Sequence, residues 1–202
     1  MTLRASVWAL IADAYGMQLG TVMGGPSWIK LEYYDVNATF GEEVAAKLAT
    51  LSPHDRMNEI MHMLQPVLQQ RFGLKAHHET REVPVFALEL AKGGPKFSPA
   101  PPPANAADIP RLAFNGHGCT FHRSSMTNVA IALSQIPEVG RQVIDHTGLV
   151  GGYSFTFDWS AKTHPDESVF TAITDQLGLK LEPSKAPVDF VVVDDIQRPS
   201  EN

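Results

Sequence analysis

The side chains best suited to chemistry in this chain are its imidazoles and its single thiol. His117, Cys119 and His122 fall within six consecutive residues, His117-Gly118-Cys119-Thr120-Phe121-His122. Thiolate sulfur and imidazole nitrogen are both good zinc ligands, so this segment is the candidate metal site. On an extended strand His117 and Cys119 share one face and His122 points to the other. The adjoining glycine could bend the segment and change that, but no fourth ligand lies nearby in sequence. The competing reading is a half-buried thiol between two surface histidines.

The remaining histidines are weaker candidates. His54 and His62 are eight residues apart and share a helix face only if the helix begins early. Ser52-Pro53 sets that beginning and places His54 in the first turn. His77 and His78 are neighbours on an expected strand, so they point to opposite faces. Ser124-Ser125 falls at a helix start, where serine normally caps. Asp145-His146-Thr147 sets an acid beside a base, yet adjacent residues do not orient one another as a triad requires, and a turn before Gly148 is expected. Asp189, Asp194 and Asp195 offer too few oxygens at calcium-loop spacing and read as solvated strand-end charges. The nucleophile elbow, H-E-x-x-H, Walker and dinucleotide-binding patterns are all missing from the sequence. No catalytic residue is assigned, and no cofactor is expected.

Composition narrows the classes further. With 16 basic and 22 acidic residues the formal charge is −6, without a basic stripe, so nucleic acid is not an expected partner. No run of 18 apolar residues suggests a membrane span. A single cysteine excludes an internal disulfide.

The elements that must position these groups read as α+β: two tandem copies of a helix-strand-helix-hairpin unit with small antiparallel or mixed sheets. The first copy is expected at 1–94 and the second at 111–202. Between them residues 95–110 (PKFSPAPPPANAADIP) form a proline-rich linker that denies backbone donors and fixes φ. Gly73-Leu74-Lys75 lies over Gly178-Leu179-Lys180, and Val83, Val85 and Ala87 then fall over Val188, Phe190 and Val192 without a gap. Gly73 and Gly178 suit left-handed helix stops. Tyr34-Asp35-Val36-Asn37-Ala38 alternates as a strand and matches Tyr153-Ser154-Phe155-Thr156-Phe157. Hairpins are expected from Leu74–Glu79 with Val83–Ala91, and from Leu179–Glu182 with Val188–Asp194. Leu3, Val7, Leu10, Ile11 and Ala14 carry helical spacing, so the chain is expected to open on a helix. The second copy has an extra strand from Arg111, without a counterpart in the first copy. The first would then lack its opening strand and expose a sheet edge open to pairing with a second copy of the chain.

Several segments together resemble a large family of soil-bacterial proteins of unknown function, acidobacterial in type. They are Leu10-Ile11-Ala12-Asp13-Ala14-Tyr15-Gly16, Gly24-Gly25-Pro26-Ser27-Trp28, Arg71-Phe72-Gly73-Leu74-Lys75 and Thr80 to Leu88. Asp145-His146-Thr147-Gly148-Leu149 and the closing Arg198-Pro199-Ser200-Glu201-Asn202 fit the same pattern. The resemblance covers nearly the whole chain. It implies an exported, periplasmic or extracellular protein, normally with a signal peptide ahead of the present Met1. In some relatives similar domains follow a membrane-bound metallopeptidase sensor, which implies a sensing or binding role. The expectation is therefore a non-catalytic extracytoplasmic binding, sensing or interaction module for a protein or small-molecule ligand. The alternatives are a metal protein or enzyme using His117, Cys119 and His122, and a surface protein that self-assembles through its open edge.

Overall fold

Ser6 decides where the first helix begins. Its backbone is extended and its hydroxyl accepts the Ala9 N–H, which satisfies one of the orphan donors of the first turn. The computed structural model describes residues 2–105, 108–115, 118–159 and 168–199. In chain order these form β1 (Thr2–Ser6), α1 (Val7–Ala14), β2 (Val22–Gly24), α2 (Trp28–Leu31), β3 (Tyr33–Asn37), α3 (Glu42–Ala49), α4 (Pro53–His62), α5 (Leu64–Phe72) and β4 (Lys75–Leu90). Then follow β5 (Arg111–Phe114), β6 (Gly118–Ser124), α6 (Met126–Ser134), β7 (Val143–Asp145), β8 (Tyr153–Asp158), α7 (Val169–Ala172) and β9 (Leu179–Asp195). The fold is α+β with small antiparallel and mixed sheets.

Two element-level expectations need correction. The helical spacing from Leu3 is realised only from Val7, because Thr2–Ser6 is a strand paired antiparallel with β3. A strand thus precedes α1, as β6 precedes α6. The hairpins expected at 74–91 and 179–194 are single strands of 16 and 17 residues. Neither Thr80-Arg81-Glu82 nor Pro183 to Ala186 contains a glycine or asparagine for the positive φ that tight hairpin turns need, so the backbone stays extended. Pro84 and Pro187 lie inside these long strands.

The chain forms two compact units, Met1–Arg81 with Pro187–Asn202, and Glu82–Ala186. Their boundaries fall within β4 and β9, and residues 95–110 belong to the second unit. In the first unit β1 and β3 make a two-stranded sheet, while β2 runs parallel to β9 through Val22↔Val191 to Gly24↔Val193. Gly24 has φ 76°, and a Cβ there would lie 2.7 Å from the Val193 carbonyl oxygen, so glycine permits this close approach. The core comprises Val7, Leu10, Ile11, Ile29, Leu64, Leu68, Phe72 and Val191 among others. Each large aliphatic side chain buried there contributes about 1.5–3 kcal/mol.

In the second unit β5-β6-β8 form a three-stranded antiparallel sheet, and β7 pairs parallel with β4. Its core holds Phe121 and Phe157 almost fully enclosed beside Met126, Leu133, Ile173 and Leu179. Ser125 caps α6 by accepting the Asn128 N–H at 3.2 Å, the role expected for this serine pair. Both Gly73 and Gly178 end their helices in the left-handed conformation, at φ 61° and 65°. No helix among the described residues is long and apolar enough to cross a membrane.

Candidate functional site

Strand alternation sorts the His/Cys segment as its residue types dictate. Cys119 and Phe121 point into the core of the second unit, while Thr120 and His122 point outward. Cys119 lies opposite Phe114 on β5 and Phe157 on β8. Burial pushes its thiol up to about 12, so the sulfur is a neutral thiol at neutral pH. On the other face His122 Nε2 is 2.5 Å from Asp108 Oδ1. The contact from His122, the Ala104 N–H and the nearby Arg123 guanidinium hold the Asp108 carboxyl below its usual range. His117 lies outside the described residues. Among the described residues no group of three His, Cys, Asp or Glu side chains could hold a metal ion.

The other polar candidates have structural partners. His77 Nδ1 is 2.9 Å from Asp194, and His78 packs its ring against Tyr15, so the adjacent pair does face opposite ways. Asp195 pairs with Lys75 at 3.3 Å and Asp189 accepts from Thr80. These cross-strand contacts between β4 and β9 occupy the strand-end aspartates. Asp145 accepts both the N–H and the hydroxyl of Thr147, which makes the expected turn. His62 borders a shallow hollow with Asp13, Met57 and Met61.

The larger concavity belongs wholly to the first unit. A groove of about 740 Å³ runs along β3, touching Tyr34, Asp35, Val36 and Asn37 in succession. Contact with four consecutive residues means that it follows the strand backbone, and no β1 residue lines it. It therefore lies on the edge of β3 opposite β1, which no strand of the described residues pairs. Val44 of α3, Ile60 of α4 and Leu64 and Val67 of α5 form the opposite wall. Phe72 sets its ring edge-on to Tyr34 at 5.1 Å. Of the charged groups on the lining, one is acidic (Asp35) and one basic (Arg71), so the groove is electrically balanced.

The C-terminal strand end also reaches this region. The Gln197 N–H donates to the Phe72 carbonyl at 2.7 Å, and Pro199 lines the groove. Arg198 forks onto both Glu32 oxygens and stacks its guanidinium 5.0 Å from the Trp28 ring. These contacts fix the tail against the first unit. The alternation of Tyr34 to Asn37 marks β3 in the sequence but not the groove, whose far wall comes from α3, α4 and α5. No motif marks those helices as ligand-binding.

A family model described as "Protein of unknown function (DUF3738)" matches residues 8–196. No curated protein and no solved structure matches the chain. Because the family model spans nearly the full length, the chain belongs to this family of proteins of unknown function.

Proposed function

We propose that this protein is a non-catalytic binding module, and that the groove along β3 is its ligand site. The observation that carries the reading is the groove itself: about 740 Å³, walled by apolar side chains, and bounded by an unpaired strand edge. Ligand pockets of about 300–1,000 Å³ with apolar walls and a few polar groups are the usual dimensions of a small-ligand site. Gln70 and Arg71 of α5 supply the polar groups. None of the lining residues is a histidine, cysteine or serine, so the groove offers no nucleophile–imidazole pair. Binding is the chemistry this lining supports.

The test is titration with Nile red, an uncharged solvatochromic dye. Saturable blue-shifted emission is expected from the native protein. Val67→Arg, at a position 41% exposed, should weaken it at least tenfold without unfolding the chain. Equal dye binding by both proteins rules the groove out. The resemblance to exported proteins supports an extracytoplasmic location; finding the native protein in the cytoplasmic fraction of its host would overturn that part.

A further inference from the structure

The same chain shows what can lie along such an edge. In the second unit the outer edge of β8 is not left open. Pro99 makes an antiparallel bridge to Tyr153, and the Ala100 N–H donates to the Gly152 carbonyl at 2.8 Å. Phe97 stacks on Phe155 at 4.6 Å and sets its edge to Tyr153 at 5.4 Å. Arg123 donates to the Pro101 carbonyl. A Phe-x-Pro segment thus covers a strand edge by one bridge, one backbone hydrogen bond and two aromatic contacts.

β3 stands to β1 as β8 stands to β6. Both pairs are antiparallel, and each first strand leads directly into a serine-capped helix. Tyr34 and Val36 are the inward-turned residues of β3, as Tyr153 and Phe155 are of β8, and both line the groove. Beside β3 no segment of the described chain takes the place that Phe97–Ala100 takes beside β8.

We infer that the groove binds an extended, uncharged peptide segment of another protein, carrying an aromatic residue two positions before a proline. This rests on the reading of the groove as a ligand site and names its ligand. Strand addition supplies backbone hydrogen bonds, and the aromatic ring fills the apolar space over Tyr34 and Val36. Balanced lining charge fits an uncharged segment. A proline-containing segment is already extended and loses little freedom on docking. The source is another protein because this chain's own Phe97–Ala100 is engaged on β8.

The probe is the end-blocked peptide Phe-Ser-Pro-Ala-Pro-Pro-Pro, carrying a fluorophore and titrated with the full chain while anisotropy is read. Saturable binding is expected, together with slowed amide exchange in β3. Val67→Arg should weaken it at least tenfold and the milder Val67→Ser severalfold, while circular dichroism shows both variants folded. Replacing the peptide's Phe with Ala should weaken binding at least tenfold. Absence of saturable binding, or binding indifferent to Val67 or to the aromatic residue, overturns the inference. Concentration-dependent dimers that Val67→Arg dissolves would also overturn it, by making a second copy the occupant. Nile red bound in the groove without the peptide leaves the binding-module reading standing; failure of both removes both.

Discussion

β3 and β8 begin alike and finish differently. Each is a short strand paired antiparallel with a strand that runs straight into a capped helix. β8 sits in a three-stranded sheet, because β5 covers the far side of β6, and its own outer edge carries Phe97 to Ala100. Among the described residues β3 has β1 alone as strand partner, and its outer edge faces the groove. A bulge contributes to the difference. β6 shifts register between Phe121 and Ser124, where Arg123 adopts φ 52°. That turn sends the Arg123 side chain toward Pro101 and Asp108. β1 pairs in unbroken register and has no such anchor. One extra residue in a ladder thus helps to fasten a covering segment in one unit, and its absence accompanies an open edge in the other.

The comparison breaks most severely at the aromatic core beneath β8. Phe157→Ala empties a fully enclosed site that stacks on Trp159, and should cost about 3–5 kcal/mol in urea denaturation. Val36→Ala on β3 removes two half-buried methyl groups and should cost about 1 kcal/mol. Comparable losses at the two sites would show that the sheets are equally integral to their units.

A second, smaller effect is expected at the cover itself. Phe97→Ala leaves the ring contacts to Phe155 and Tyr153 unmade and should cost about 2 kcal/mol, since the side chain is only partly buried. Hydrogen exchange at the Ala100 amide should accelerate with it. Arg123→Ala should speed the same amide less, because Phe97 still holds the segment. If Phe97→Ala leaves that amide unchanged, the aromatic contact is not what closes the edge.

The tail contact in the first unit gives a pH-dependent effect. Arg198 holds the Glu32 carboxyl below its usual range, and the Tyr34 hydroxyl adds to this. A depressed folded-state value stabilises the fold at pH above the unfolded value of about 4.3, and that stabilisation is lost as pH falls through the folded one. Arg198→Ala should therefore flatten the acid limb of the stability curve below about pH 4 and shift Trp28 emission. An unchanged acid limb would remove the pair from any role in holding the tail. Smallest of all is the expected reaction of Cys119 with a thiol reagent: none at neutral pH in the folded protein, and full modification in denaturant.

Much of the local structure could be read directly from residue types. Ser52-Pro53 starts α4, Ser125 starts α6, and Gly73 and Gly178 stop their helices, because each is a decision made within one turn of backbone. The alternation of β3 and β8, the turn at Asp145 and the opposed faces of Cys119 and His122 are equally local. The α+β class followed from these elements. What the residues alone did not reveal is pairing across long separations. Thr2–Ser6 carries helical spacing but finds the backbone of β3, and the two expected hairpins are single strands, each with residues in both units. The groove depends on α3 and α4 standing opposite a strand edge, and on the absence there of a segment like Phe97–Ala100. Local dihedral preference and capping act over three or four residues and are written in sequence. The choice of which strand edge is covered is settled by hydrogen bonds and ring contacts between residues far apart in the chain, and only the folded chain brings those together.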